Sequence, residues 1–312
     1  MRHKEKNFVT AIVYVHNEEK NIEEFMSYLA EVLETHFESS EIICVNDSST
    51  DKSVERIHSA CERIKGVSVS VVSMSYYQGV ELAMNAGVDL SIGDFVFEFE
   101  NCCRDYDAED IMNVYYKALE GNDIVCASTD KKQKLSSSAF YYVFHKLTGN
   151  SYRMQTDSFC ILSRRVINRI ESMNKTVPYR KAVYANCGLK IASVCYRAKG
   201  NINKKRDSKE RNYRKELAIE TLVLFTGVGY RFAVLMTTVM MLVTILVAIY
   251  ALNIYLLQTP IAGWTTTILF LAFAFFCLFG ILTIIIKYLA ILVDLVFKKQ
   301  KYSIEGIEKI TK

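Results

Sequence analysis

The sequence predicts an α/β domain with a mostly parallel sheet, followed by a C-terminal hairpin of two transmembrane helices. Two observations predict the domain: β-branched apolar runs alternate with amphipathic segments, and polar clusters follow the runs. A third predicts the hairpin, because 232–286 contains no Asp, Glu, Lys or Arg. The chain has 312 residues, of which 51% are hydrophobic, so a disordered chain is excluded and the average covers two unlike parts.

Strand-like and helix-like periods alternate through the first hundred residues. Short apolar runs predict strands, and apolar residues three and four apart predict helices. The predicted strands are 8–15, 41–45, 67–74 and 94–99, and the predicted helices are 21–34, 54–61 and 80–90. This alternation indicates βαβ units and a Rossmann-like sheet covered on both faces. The polar clusters should therefore face one crevice beyond the carboxyl ends of the strands.

Several classes are disfavoured by motifs that the sequence lacks. It has neither a G-x-G-x-x-G nor a G-x-x-x-x-G-K-[ST] loop, which argues against dinucleotide redox chemistry and P-loop hydrolysis. The nine cysteines show no zinc spacing and, in a reducing compartment, are expected to be free thiols. The apolar run at 8–15 is too short for a signal peptide and ends in the polar residues His16 to Glu19.

The uncharged run is long enough for two membrane-spanning helices. We expect them at 232–257 and 264–286, separated by a turn that contains Pro260 and Gly263, with the second helix continuing to about 297. The alternative is a buried helical pair of a soluble domain. That alternative is disfavoured because neither stretch has a charged face.

Basic residues flank the hairpin on both sides, at 204–215 and 298–301, and the connecting loop is uncharged. The positive-inside rule then places both ends in the cytoplasm. The predicted organisation is a cytoplasmic domain at 1–203, a basic juxtamembrane segment at 204–231, two transmembrane helices at 232–297 and a basic tail at 298–312. Within the juxtamembrane segment, 213–226 suits either an amphipathic helix on the membrane or a helix packed on the protein's own sheet.

Acidic and amide side chains stand where the strands end. Asn46 and Asp47 suit hydrogen bonds to a nucleotide base or ribose, although an aspartate before a helix is also a common helix cap. Four acids lie in and after the fourth strand and suit a hard divalent cation that also binds a diphosphate: Glu98, Glu100, Asp105 and Asp107. The alternative for these acids is a solvated loop.

The order of these motifs resembles family 2 glycosyltransferases of the GT-A fold. Segments 11–22, 41–51, 75–87 and 159–165 are similar to the family's V-V-I-P-V-Y-N-E-E-x-N-I, E-I-I-x-V-D-D-G-S-T-D, S-R-N-x-G-K-E…A-G and F-R-L-x-S-R-R motifs. Together with the hairpin and an S-K-Y-x-like segment at 208–214, they resemble the polyprenyl-phosphate type. That type includes dolichyl-phosphate mannose synthases and bacterial undecaprenyl-phosphate sugar transferases.

The resemblance implies sugar transfer from a nucleotide-sugar donor to a polyprenyl phosphate, with Mg²⁺ or Mn²⁺, for cell-envelope glycan synthesis. It also implies an inner-membrane homo-oligomer, for example a tetramer, with no nucleic-acid partner. The implied nucleotide-binding residues are Tyr14, His16, Glu18, Asn46, Asp47 and Gly79. The implied metal ligands are Glu100, Cys102 and Asp105, and the implied catalytic acids are Asp105 and Asp157. The implied phosphate-binding residues are Lys131, Lys134 and Arg164; for the two lysines the alternative is a solvated charge run.

Departures from the family pattern fall at the site itself. The family's metal-binding D-x-D reads Glu100-Asn101-Cys102 here, and a thiolate is a soft ligand that suits a hard cation poorly. Asp105-Tyr106-Asp107 also spells D-x-D, but beyond the strand end. Two hypotheses follow: a transferase with an altered site, or a non-catalytic, membrane-bound binding or scaffolding relative.

Overall fold

The computed structural model describes residues 4–130, 157–172, 180–199, 228–257, 263–296 and 302–311. The chain divides into two compact units. The first comprises Met1–Ile219 and Gln300–Lys312, and the second comprises Glu220–Lys299. The first unit therefore contains segments from both ends of the sequence.

Eight strands of the described part form one sheet in the first unit. They are β1 (Val9–Val15), β2 (Ser40–Asn46), β3 (Ser68–Met74), β4 (Phe95–Phe99), β5 (Ile124–Thr129), β6 (Asp157–Ser163), β7 (Ile191–Tyr196) and β8 (Ile304–Lys309). Their spatial order is β7-β5-β6-β4-β1-β2-β3-β8. Strands β1 to β4 are mutually parallel, whereas β6 is antiparallel to β4 and β5, and β8 is antiparallel to β3. The predicted mostly parallel sheet is confirmed.

Helices lie between these strands. They are α1 (Ile22–His36), α2 (Ser53–Cys61), α3 (Val80–Leu90), α4 (Ala108–Leu119), α5 (Arg164–Ser172) and α6 (Arg180–Asn186). In α1, the apolar residues at helical spacing are the buried ones, including Ile22, Phe25 and Leu29. They pack in one core cluster with inward residues of β1, β2 and β4. This match of period and burial explains why the helix forms where the sequence predicts it.

Strand β1 lies at the centre of the sheet, and six of its seven residues are buried. A strand covered on both faces needs a nearly continuous apolar run, which the sequence supplies. Helix α3 packs on one of these faces and approaches β1 closely at Gly87. A Cβ atom there would lie 2.5 Å from Cγ2 of Ile12, so glycine permits the contact.

Two findings in the sheet depart from expectation. Residues 304–309, within the segment predicted to be a basic tail, form the edge strand β8. Cys126 and Cys160 lie opposite each other on β5 and β6 and form a disulfide. The expectation that all nine cysteines are free thiols is therefore wrong for this pair, because a spacing pattern does not show which strands become neighbours.

The second unit contains two long helices, α7 (Val228–Leu257) and α8 (Trp264–Val296). Within them, Arg231–Leu256 and Trp264–Ala290 are long and apolar enough to cross a membrane, judged by length and composition. The hydroxyl of Thr283 donates to that of Thr237 at 3.1 Å, so a polar contact joins the two helices. The predicted turn at 258–262 and the segment 213–226 lie outside the described residues.

Candidate active site

Asp47 begins the loop after β2 and fixes a turn that precedes α3. Its buried carboxylate accepts hydrogen bonds from the backbone N–H groups of Gln78 and Gly79, both at 2.8 Å, and from the Tyr14 hydroxyl at 3.0 Å. Burial raises the pKa of Asp47, and these hydrogen bonds oppose the rise. Gly79 has φ +85°, a conformation that favours glycine. Asp47 therefore organises the turn instead of capping a helix.

An aromatic pair lies beside this turn. The ring centroids of His16 and Tyr77 are 4.6 Å apart, and Tyr77 is 36% exposed. The Nδ1 atom of His16 lies 2.7 Å from the carbonyl oxygen of Asp47. A carbonyl accepts, so this nitrogen carries the proton and the ring orientation is fixed.

Glu18 and Asn46 make hydrogen bonds within the loops that follow β1 and β2, and Glu18 also bonds the start of α2. The Glu18 carboxylate accepts from the Asn21 amide at 3.0 Å, and its backbone N–H donates to Ser53 at 2.8 Å. The Asn46 amide oxygen accepts from the backbone N–H of Ser49 at 3.1 Å. In the described structure these two residues shape the crevice through its loops, and a direct contact of either with a nucleotide stays a prediction.

A buried charge cluster lies at the end of β4. Its carboxylates are Glu81, Glu98, Glu100 and Asp157, and its cations are Arg180 and Lys181. The Arg180 guanidinium is 3% exposed and lies 3.2 Å from Glu100, 3.4 Å from Glu98 and 3.8 Å from Glu81. Helix α6 thereby supplies the cation that buried carboxylates on β4 and α3 require.

Lys181 lies between two acids of this cluster. Its Nζ is 3.5 Å from the Asp157 carboxylate and 3.7 Å from that of Glu100. Burial raises the pKa of Asp157 to about 6, although Lys181 acts in the opposite sense. Among the described residues, the buried Oδ1 atom of Asp157 has no hydrogen-bond partner. An orphaned carboxylate oxygen of this kind is a position where a ligand or cation would be favoured.

The electrostatics of the cluster favour added positive charge. Within the described part of the chain, four carboxylates of this cluster face two cations, and burial raises the pKa of Glu81 and Glu98 despite the nearby guanidinium of Arg180. The Tyr184 hydroxyl donates to Glu98 at 2.8 Å. Our sequence reasoning missed Glu81, Arg180, Lys181 and Tyr184. The available signal was Glu98, an acid within the otherwise apolar strand Phe95–Phe99, because such a residue needs a buried partner.

The predicted metal ligands do not assemble as a set. Cys102 is buried in the apolar core, with its thiol 3.8 Å from the Tyr14 carbonyl oxygen, and its role as a metal ligand stays a prediction. The Asp105 carboxylate accepts from the Tyr196 hydroxyl at 2.7 Å. Within the described ranges, one group of three such residues, Cys126, Asp157 and Cys160, has its ligand atoms within 4.8 Å of one another. The two cysteines of that group form the disulfide.

Hard-cation chemistry fits other oxygens of the site better. Glu100 and Asp157 are carboxylates in the charge cluster, and Asp157 has the orphaned oxygen. Oxygen donors of this type suit Mg²⁺ or Mn²⁺. Asp107 is a different case: it caps α4 in a reciprocal capping box with Asp110. The D-x-D spelled by Asp105 to Asp107 therefore includes a helix cap.

Arg164 lies at the opposite edge of the sheet. Its guanidinium donates to the Gly93 carbonyl at 2.9 Å, before the amino end of β4, and to the Ser91 hydroxyl at 3.3 Å. Because β6 runs antiparallel to β4, its last residue, Ser163, pairs with Phe95 at the start of β4. The following residue, Arg164, therefore lies at the edge of the sheet opposite the crevice, and its binding of a phosphate stays a prediction. Lys131 and Lys134 lie outside the described residues.

The fold and this site define a class of protein. A Rossmann-like sheet with an organised loop after β2 and buried carboxylates after β4 is the GT-A fold. The chain belongs to glycosyl transferase family 2, whose profile matches residues 10–170, more than half of its length.

Relatives with this domain support the membership. An uncharacterised glycosyltransferase of Synechocystis sp. is 28% identical over 60% of this chain and 60% of its own length. A prophage bactoprenol glucosyl transferase homolog of Escherichia coli is 27% identical over 60% and 62%. An undecaprenyl-phosphate 4-deoxy-4-formamido-L-arabinose transferase of Pseudomonas paraeruginosa is 28% identical over 41% and 37%. In each case the match spans less than two thirds of the relative.

Solved structures share the fold at low sequence identity. Glucosyl-3-phosphoglycerate synthase from Mycobacterium tuberculosis, in complex with Mn²⁺, UDP and glucosyl-3-phosphoglycerate, has a TM-score of 0.54 at 15% identity. The match covers 71% of this chain and 80% of that one. A mannosyltransferase from Pyrobaculum calidifontis, in complex with GDP-mannose and Mn²⁺, has a TM-score of 0.51 at 15% identity, covering 67% and 61%.

Proposed function

We propose that this chain transfers a sugar from a nucleotide-sugar donor to a polyprenyl phosphate of the undecaprenyl type, in cell-envelope glycan synthesis or modification. The observation that carries the proposal is the position of Lys181 between Glu100 and Asp157 after β4. Family membership and relatives named as bactoprenol and undecaprenyl-phosphate transferases support it.

The reaction would be an inverting displacement. An oxygen of the acceptor phosphate forms a bond to the anomeric carbon, and the bond from that carbon to the diphosphate breaks. The electron pair of the broken bond leaves with the nucleoside diphosphate. The acceptor oxygen is already ionised at neutral pH, so the chain needs to supply charge neutralisation and alignment more than a strong base.

Of the two cations in the cluster, Lys181 would neutralise the leaving diphosphate, because its side chain is 12% exposed whereas that of Arg180 is 3% exposed. Glu100 and Asp157 would hold a divalent cation, Mg²⁺ or Mn²⁺. When bound, that cation would stabilise negative charge on the diphosphate. The Mn²⁺ bound by the two fold neighbours supports this expectation.

The nucleoside would lie over the crevice between the loops after β1, β2 and β3. His16 and Tyr77 present ring surface there, and Asp47 holds the turn that carries Tyr77. Tyr14 supports Asp47 from β1, and Gly79 allows the turn to close. Lys131 and Lys134 remain predicted phosphate-binding residues.

Membrane attachment is part of the proposal. The spans Arg231–Leu256 and Trp264–Ala290 would cross the inner membrane, with the catalytic domain and both termini in the cytoplasm. An undecaprenyl acceptor is itself embedded in that membrane, so anchoring keeps the enzyme where its substrate is. The homo-oligomer implied by the resemblance remains a prediction.

The test is transfer of radiolabelled sugar by the full-length protein in membranes. A panel of UDP- and GDP-sugars is offered with undecaprenyl phosphate, and lipid-linked product is extracted. Lys181→Met and Glu100→Gln should each lower turnover at least about a hundredfold. Lys190→Met, at an exposed lysine before β7, is the matched control and should leave turnover unchanged.

Cys102 in the core favours a second candidate, a non-catalytic binding or scaffolding subunit. That candidate predicts nucleotide binding without product from any donor. Product formation that depends on Lys181 excludes it. Absence of product across the panel, with a folded protein, excludes the transferase.

A further inference from the structure

The segment 302–311 returns to the first unit and forms its edge strand next to β3. Strand β8 pairs with β3 from Ser70↔Lys309 to Met74↔Ile304. Since the two strands are antiparallel, the start of β8 lies at the carboxyl end of β3. The C-terminal segment thereby reaches the same edge as the candidate site.

Gln78 connects this segment to the turn that Asp47 fixes. Its side-chain amide donates to the Ser303 carbonyl at 2.7 Å, and its amide oxygen accepts from the Ser303 N–H at 2.9 Å. Its backbone N–H donates to Asp47 at 2.8 Å. One buried residue therefore bonds both the C-terminal segment and the buried acid after β2.

Further hydrogen bonds hold the two ends of the segment. Near Gln78, the Ser75 N–H donates to the Ser303 carbonyl at 3.1 Å, and the Tyr302 hydroxyl donates to Asp89 at 2.8 Å. At the far end, Thr311 accepts from the Val69 N–H at 2.5 Å. The far contact is at the amino end of β3, away from the crevice.

We infer that the start of the C-terminal segment, at Tyr302 and Ser303, is part of the nucleotide site, and that Gln78 is a positioning residue that holds the Tyr77–Gly79 turn against Asp47. The inference rests on the proposed function for the identity of the ligand. It adds that donor affinity depends on residues that follow the apolar helices in sequence. Losing the Gln78 side chain removes both of its hydrogen bonds to Ser303, leaves the Ser303 carbonyl with only the bond from the Ser75 N–H, and loosens the turn.

The experiment compares two variants of the full chain in detergent. Gln78→Ala removes the contact at the turn, and Thr311→Val removes one at the far end of the same segment. Binding of radiolabelled UDP and GDP should weaken about tenfold or more in Gln78→Ala and less than about twofold in Thr311→Val. In the transfer assay, Gln78→Ala should raise the KM for the donor far more than it lowers kcat.

Hydrogen exchange supplies a readout that needs no ligand. The N–H groups of Gln78 and Gly79 are bonded to Asp47, so their exchange should accelerate in Gln78→Ala and stay unchanged in Thr311→Val. The inference is overturned if both variants lose the same affinity in proportion to their loss of thermal stability. It is also overturned if the exchange of the Gln78 and Gly79 N–H groups is unchanged in Gln78→Ala. If the wild-type protein binds neither nucleotide, the proposed function fails instead, and the exchange result still decides whether Gln78 positions the turn.

Discussion

The guanidinium of Arg180 lies 3.2 Å from the carboxylate of Glu100, at the point where β4 ends. Arg180 begins α6, far from β4 in sequence, and it is fully enclosed by the domain. The acid that resembles the family's first metal ligand is therefore oriented by a cation from a distant helix. The orientation of the Glu100 side chain therefore depends on α6 as well as on β4.

Arg180→Met should destabilise the sheet domain by about 3–5 kcal/mol, because it leaves buried carboxylates without their cation. Glu81 and Glu98 lose the same partner as Glu100. The measurement is the urea midpoint of the full chain by pulse proteolysis, which follows the unfolding of the first unit, the sheet domain.

Arg165→Met is the matched control for that loss. Arg165 is 74% exposed and lies 3.7 Å from Asp123, so its removal should cost no more than about 1 kcal/mol. Similar midpoint shifts in the two variants would contradict a special role of the buried cluster.

Tyr77→Ala should weaken binding of a nucleoside diphosphate by about 1–3 kcal/mol, because a base stacking on this ring loses its surface. Tyr77→Phe keeps the ring beside His16 and should bind almost as the wild type does. Tyr116→Ala removes an exposed tyrosine of α4 and serves as the control. Titration calorimetry with UDP and GDP measures the effect, and unchanged affinity in Tyr77→Ala would place the base elsewhere.

The sequence predicted the sheet well because its determinants are local. The run at 8–15 shows the nearly continuous apolar pattern of a covered strand and that at 67–74 is interrupted by serines, and the structure confirms both as strands. The charge cluster was not predictable in the same way. Glu98 shows that a buried cation is needed, but Arg180 is chosen as its partner by packing in three dimensions. The Gln78–Ser303 contact likewise links positions that no sequence period connects.

Asp51 should make stability depend on pH on the acid side. Burial alone would raise the pKa of Asp51, but hydrogen bonds from Ser53 and the Glu19 N–H hold it below its usual value. Because the pKa of Asp51 is lower in the folded chain than in the unfolded chain, Asp51 stabilises the fold at pH values above the unfolded-state pKa of about 3.9. This contribution is lost as the pH falls through the folded-state pKa.

Asp51→Ala should therefore cost about 1 kcal/mol at pH 7, with the difference from wild type shrinking below about pH 4. Asp51→Asn keeps an acceptor oxygen for the Ser53 N–H but cannot titrate. The difference in the free energy of unfolding between Asp51→Asn and Asp51→Ala should therefore be nearly independent of pH. Urea midpoints from pH 3 to pH 7 test this, and a wild-type advantage that is constant over the range would rule it out.

The Cys126–Cys160 disulfide should stabilise the sheet domain by about 3–4 kcal/mol, because it closes a 34-residue separation and restricts the unfolded chain. After oxidation with glutathione disulfide, dithiothreitol should lower the urea midpoint of the wild type and leave that of a Cys126→Ser/Cys160→Ser variant unchanged. Denaturing alkylation with mass spectrometry gives the matching count: seven labelled cysteines in the oxidised protein and nine after reduction. Nine labelled cysteines in the oxidised sample would show that the pair stays as thiols, and the midpoint should then be insensitive to dithiothreitol.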